Sequence, residues 1–257
     1  AAYLWPSIWS LILGLLFGIT FRAIASHVLS TEISHRLAFR AEHAWRIFRF
    51  GRWIGLSSVI FFLSTSFDRL YLARSVPLAT LGIYSLARTI TEVVSSGATS
   101  LANYIVFPLV STHGEASREK LRNQIADKRL LLLLLSAGSI AVLAAVVDLL
   151  VTLVFDPRYH EASWMARILF AGAWLSVLCS VNEAALLGLG KPAYGAAANA
   201  SKLAWLVIGL PLGFAHDGLM GGLVAIASAE IGRYVPLLIG LAGANFSFLR
   251  QDVVASV

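Results

Sequence analysis

Seven apolar stretches, each long enough to cross a bilayer, follow one another in a chain of 257 residues. They cover about residues 9–29, 54–76, 81–110, 130–155, 164–187, 194–214 and 219–241. A hydrocarbon core about 30 Å thick is spanned by roughly 20 helical residues. One such stretch is compatible with a buried helix of a water-soluble protein; seven, at 58% hydrophobic and 13% charged residues, are not. Hydrocarbon offers the backbone no hydrogen bonds, so each stretch has to satisfy its own amides as a helix. The expected fold is all-α: a polytopic transmembrane helical bundle, with residues 1–257 forming a single membrane domain.

Full charges interrupt several of these stretches: Asp68-Arg69, Arg88 with Glu92, Asp148, Arg167, Glu183, and Glu230 with Arg233. Charges inside a membrane face other helices or a water-filled space rather than lipid, and they mark ion or substrate paths. Arg88 and Glu92, four apart, share a helix face, as do Glu230 and Arg233, three apart. Thr91, Ser95, Thr99 and Asn103 continue the polar stripe of the third span. Two readings stand for each pair: a neutralised structural ion pair, or the lining of a cavity. For Asp68-Arg69, near the outer third of its span, anchoring near the interface competes with a cavity role.

The net charge of +6 does not call for nucleic acid, because its distribution follows the membrane. Arg36, Arg40, Arg46, Arg49 and Arg52 lie between the first and second spans, and Arg118, Lys120, Arg122, Lys128 and Arg129 between the third and fourth. Lys191 and Arg250 follow the fifth and seventh, while the opposite loops carry only Arg74 and Arg158. By the positive-inside rule the amino end is outside and the carboxyl end in the cytoplasm. Within about residues 36–49, Leu37, Ala41, Ala44, Trp45 and Phe48 share one helical face and basic residues the other. This pattern predicts an interfacial amphipathic helix attracted to anionic phospholipid.

Catalytic and metal chemistry find little support. The lone Cys179 excludes a disulfide framework and a multi-cysteine centre, and the six histidines are scattered. Gly188-Leu189-Gly190-Lys191-Pro192 reads as a helix stop rather than a phosphate loop. No catalytic constellation, metal site or cofactor is expected. Asp68, Asp156 and Glu161 are the acids open to a membrane transferase, but without a convincing partner set. The opening Ala1 to Pro6 has neither a basic leader nor a cleavage signal, and the chain reads as a fragment lacking an upstream portion.

Several short motifs recur in a known order. These are Ser66-Phe67-Asp68-Arg69, then Ala79-Thr80-Leu81-Gly82-Ile83-Tyr84-Ser85-Leu86-Ala87, then Phe107-Pro108. The Arg158-Tyr159 turn, Asn182-Glu183 leading to Leu187-Gly188-Leu189-Gly190-Lys191-Pro192, Asn199, and the Gly218 to Gly222 connection follow. Over about residues 8–245 the chain resembles bacterial polysaccharide or O-antigen flippases of the multidrug, oligosaccharidyl-lipid and polysaccharide exporter superfamily. The resemblance implies the second lobe of a two-lobed exporter fold in the bacterial inner membrane. It also implies non-enzymatic movement of an undecaprenyl-diphosphate-linked oligosaccharide between leaflets. Carried onto this sequence, Arg88, Arg233 and Arg69, and more weakly Arg22, would meet the anionic head group. Glu92, Glu230 and Asp68 would neutralise them or couple to protons or sodium. The polysaccharide polymerase machinery is the implied protein partner. A multidrug or small-molecule exporter of the same superfamily, a membrane polymerase or glycosyltransferase, and a noncatalytic assembly subunit remain open.

Overall fold

In a computed structural model of the chain, residues 8–29, 41–112 and 118–256 are described. Among them are α1 (Ile8–Leu29), α2 (Ala41–Ser75), α3 (Leu78–Thr112), α4 (Arg118–Val154), a 3-10 turn (Pro157–Tyr159), α5 (Ala162–Gly188), α6 (Ala193–Ala242) and α7 (Leu249–Val254). The described residues contain no strand, and the all-helical bundle expected from the apolar stretches is present. Residues 1–46 and 47–257 form two compact units. The first holds α1, an apolar helix on which Phe17 and Phe21 stack at 6.3 Å.

In the second unit α5 is the axis of the packing, with α3, α4 and α6 against it. Its small and aliphatic residues, from Ala162 to Leu186, are buried at most positions. Close approach depends on the absence of side chains: a Cβ at Gly172 would lie 2.8 Å from Ala227 Cα, and one at Gly188 2.7 Å from Val110 Cβ. Without a hydrophobic drive between helices in lipid, such backbone proximity supplies the contact that holds a bundle together.

Among the described residues, four helices are by length and composition apolar enough to cross a membrane: residues 78–111, 125–154, 162–188 and 193–242. The last contains two of the expected spans. Asp217 and Gly218 leave helical geometry inside α6, with Gly218 at φ 57° and ψ −136°, a region essentially reserved for glycine. Beyond this break the chain reverses: Trp205 donates to Ser228, Lys202 to Glu230, and Gly240 packs on Tyr194. Paired positions therefore sum to nearly the same number, the mark of two antiparallel arms. Near the bend Gly213 and Gly221 meet backbone to backbone, leaving no room for a side chain.

Two segments expected between spans are extensions of helices. Residues 41–49, the described part of the expected interfacial helix, form the first turns of α2; residues 36–40 lie outside the described set. Arg118 through Arg129, read as a basic loop, are the first turns of α4, since Arg, Glu, Lys, Leu and Gln are strong helix formers. Pro108 lies inside α3, which runs on to Thr112. The stop after α5 is as expected. Gly190, at φ 71°, lets Lys191 N–H reach Leu186 O and Gly190 N–H reach Leu187 O, a Schellman closure. At the far end of α4, Asp156 caps the 3-10 turn through Arg158 N–H. Hydrogen bonds from the Arg158 side chain and backbone hold the Asp156 carboxyl below its ordinary range.

The hairpin yields a direct prediction. Gly221→Ala forces the α6 arms apart and Gly218→Ala strains the bend, each at about 1–3 kcal/mol. Both are expected to lower the midpoint of thermal unfolding in detergent, while Gly138→Ala, where a Cβ meets nothing within 4 Å, leaves it unchanged.

Candidate functional site

The connections at 75–78, 155–161 and 217–218 lie at one end of the second unit, here the turn end. Lys191 and α7 lie at the other, the basic end. Between them α2, α3, α5 and α6 line a cavity of about 610 Å³. Hydroxyl residues of α2, α3 and α5 line one part of its wall, including Thr65, Ser95, Thr99 and Ser176. Their hydroxyl protons are largely given to their own helix: Ser95 donates to Thr91 O at 3.0 Å and Thr99 to Ser95 O at 2.8 Å. The cavity therefore meets hydroxyl oxygens as acceptors.

Charges occupy the rest of the wall in two groups. Towards the turn end, Arg88 Nε donates to Glu92 Oε1 at 2.7 Å, and the Arg69 guanidinium stands 3.8 Å from Glu92. Asp68 is buried behind them, accepting from Tyr84 OH at 2.5 Å and from the Arg69 backbone N–H at 2.7 Å, with Arg88 4.0 Å away. In the second group Lys202 donates to Glu230 at 2.5 Å. Arg233 donates to Glu183 at 2.5 Å and to Glu230 at 3.5 Å, and its guanidinium lies over the Phe61 ring, 5.5 Å from the centroid. Lys202, Glu230 and Arg233 are all buried.

The cluster holds four bases (Arg69, Arg88, Lys202, Arg233) and four acids (Asp68, Glu92, Glu183, Glu230). Overall neutrality is what permits so many charges among helices, since an unpaired charge there carries a penalty of several kcal/mol. The cavity sees a different balance. All four bases line it, but of the acids only Glu92 and Glu230 do. Asp68 and Glu183 neutralise from behind, and the exposed wall is net basic.

The sequence pairings are partly rearranged by the fold. Arg88, Arg233 and Arg69 come together on one cavity, with Glu92 and Glu230 among its lining. Arg88 pairs with Glu92 as the helical spacing predicts. Asp68 and Arg69 do not form a side-chain pair of their own, because successive residues point to different sides of the helix; Tyr84 takes Asp68 and Glu92 takes Arg69. Glu230 and Arg233 touch, yet their shortest contacts are with Lys202 and Glu183. Arg22 lies on α1, in the first unit. Lys202 was not singled out, although a lysine midway along an apolar span carries the same signal as the arginines. Asp148 pairs with Arg167 across α4 and α5. Cys179 is plain packing, fully buried.

A second polar network lies at the basic end. Arg129, counted by sequence among the solvated loop charges, is instead 1% exposed. It donates to Asp252 of α7 and, at 2.9 Å, to Asn182 of α5, and stands over the Phe248 ring at 4.7 Å. Tyr234 OH donates to Asp252 at 2.5 Å. Asn245, at φ 53°, closes α6 and turns the chain back so that α7 reaches these partners. Among the described residues no group of His, Cys, Asp and Glu is arranged to hold a metal ion.

An all-helical bundle with apolar helices of spanning length, built around a charged, net-basic cavity, defines a class of polytopic membrane protein. The comparisons narrow it: a family model described as polysaccharide biosynthesis protein matches residues 1–164. The chain belongs to that family and is a membrane protein of polysaccharide biosynthesis. The match takes in α1 to α4, and with them Asp68, Arg69, Arg88 and Glu92. No curated protein and no solved structure matches the chain.

The Arg129 network predicts strong coupling. Arg129→Ala leaves Asp252 buried without its cation and is expected to cost about 3–5 kcal/mol. The double variant Arg129→Ala with Asp252→Ala should cost less than the sum of the single changes, measured by thermal unfolding in detergent.

Proposed function

We propose that the chain takes part in moving an undecaprenyl-diphosphate-linked oligosaccharide, the repeat unit of a surface polysaccharide, across the bacterial inner membrane, as a carrier and not an enzyme. The observation that supports this reading is the net-basic wall of the central cavity, with two of the four compensating acids, Asp68 and Glu183, outside its lining. A diphosphate is costly to expose to hydrocarbon, and a basic, hydrated groove offsets part of that cost while a lipid tail stays outside. Arg88 and Arg69 at one end, with Lys202 and Arg233 at the other, provide the charge-assisted donors. The hydroxyl oxygens of α3 and α5 provide acceptors for the hydroxyl groups of a glycan.

In this reading the chain forms the second lobe of a two-lobed exporter, with the basic end in the cytoplasm and α1 starting on the periplasmic side. Alternating access exposes the cavity to each leaflet in turn. Anionic phospholipid at the basic end and the polysaccharide polymerase machinery are the proposed partners. Glu92, Glu230 and Asp68 are the candidates for proton or sodium coupling.

Replacing the chromosomal gene by Arg88→Ala or Arg233→Ala tests the assignment. Loss of one charge-assisted hydrogen bond, about 1.5–3 kcal/mol, corresponds to roughly a ten- to hundredfold fall in transport. The readout is the periplasmic-leaflet exposure of lipid-linked glycan at normal protein level. Unchanged exposure in both variants sinks the head-group role. Intact glycan exposure together with lost efflux of a cationic dye points to the small-molecule exporter.

A further inference from the structure

The central cavity has a smaller neighbour of about 120 Å³ at the basic end. Three helices pass from one to the other within about two turns. On α2, Phe61 lines the central cavity and Ser57 the small one; on α5 the change falls between Ser180 and Glu183; on the first arm of α6 it falls between Lys202 and Gly195. At the same depth Arg233, on the central cavity, donates to Glu183, on the small one, at 2.5 Å. Beside them Asn199 donates to Ser57 at 2.8 Å. These polar side chains form a layer, with Phe61, between the linings of the two spaces.

The layer carries signs of a second arrangement. Arg233 Nε and Asn199 Oδ1 are both buried without a hydrogen-bond partner, and an unsatisfied buried polar atom costs about 1–3 kcal/mol. Closure therefore holds polar atoms that water would satisfy. Glu183 also has somewhere to go. Its side chain is 27% exposed, and Lys191 lines the same small cavity, so a second cation is at hand when Arg233 is released. Arg233 in turn keeps Glu230, which already stands 3.5 Å away. Each charge retains a counter-charge in either state, the condition for a pair that opens without stranding an ion.

We propose that the Glu183–Arg233 pair is a removable partition: on its release the two cavities join into one hydrated passage from the centre of the bundle to the basic end. The alternative is a permanent structural pair. The proposal adds a gate to the transport reading and rests on it for its purpose, but the test reads the wall and not the cargo.

In the full protein, in membrane vesicles and with Cys179→Ser to remove the native thiol, Ser95→Cys marks the central cavity and Ser57→Cys the small one. A membrane-impermeant cationic thiosulfonate is applied to vesicles of each sidedness. Glu183→Gln is expected to raise reaction at Ser95→Cys from the Lys191 side at least tenfold. Reaction at Ser57→Cys should stay within about twofold, and exchanging the charges, Glu183→Arg with Arg233→Glu, should restore the low rate. An unchanged rate at Ser95→Cys in Glu183→Gln overturns the partition. Should that variant fail to reach the membrane, Arg233→Lys serves, because one amine cannot hold Glu183 and Glu230 as the two guanidinium nitrogens do; no increase there also overturns it. Gated labelling without glycan movement would count against the cargo alone.

Discussion

Charge pairing across helices is the constraint on which the rest of this structure depends. A membrane bundle can hold Arg88, Lys202, Arg233 and Arg129 inside only if each finds an acid, and in every case an acid is supplied: Glu92, Glu230, Glu183 and Asp252. Three of these four pairs join segments far apart in sequence or separate arms of a hairpin. The pairs therefore fix which helices are neighbours as well as which charges are neutral. A bundle of apolar helices without them has many near-equivalent packings, since lipid tails are as apolar as leucine.

Small residues make the pairing possible. Lys202 reaches Glu230 because the arms of α6 approach closely, and they approach because Gly213 faces Gly221 at the bend and Gly240 faces Tyr194 at the base. At Gly195 a Cβ would stand 2.6 Å from Glu183 Oε1, in the space this carboxylate uses to reach Arg233. Glycine thus serves electrostatics here, by letting charged side chains of fixed length meet. The polar networks at the cavity and at the basic end share α5, where Asn182 turns to Arg129 and Glu183, its immediate neighbour, to Arg233. A shift of α5 would disturb both networks together.

The cavity's character follows from depth rather than from composition. Four acids balance four bases, so the cluster as a whole is neutral; the wall is basic because Asp68, held by Tyr84 of α3, is outside the lining and Glu183 faces the neighbouring cavity. Composition alone would have described the same eight residues as self-cancelling. Membership in a family of polysaccharide biosynthesis proteins gives such a surface a context, and the match covers the α2 and α3 side of the wall.

Much of the fold was legible in the sequence. Spans of about 20 apolar residues must be helices in hydrocarbon, and the bend at Gly218 and the stop at Gly190 each carry the glycine that a positive φ requires. The candidate arginines were legible too, because a full charge within an apolar stretch is conspicuous by local pattern alone. The Arg88–Glu92 pair was visible because helical periodicity is a local rule. How far the helices extend was not, since the first turns of α2 read as a separate interfacial helix and those of α4 as a basic loop. Nor were the partners of Asp68, Glu183, Lys202 and Arg129, each of which lies 16 or more residues away along the chain. The sequence by itself determined that helices cross and that charges lie among them. Only the tertiary structure decided which charges meet and which sides face a cavity, because those distances depend on how closely the glycines let the helices approach.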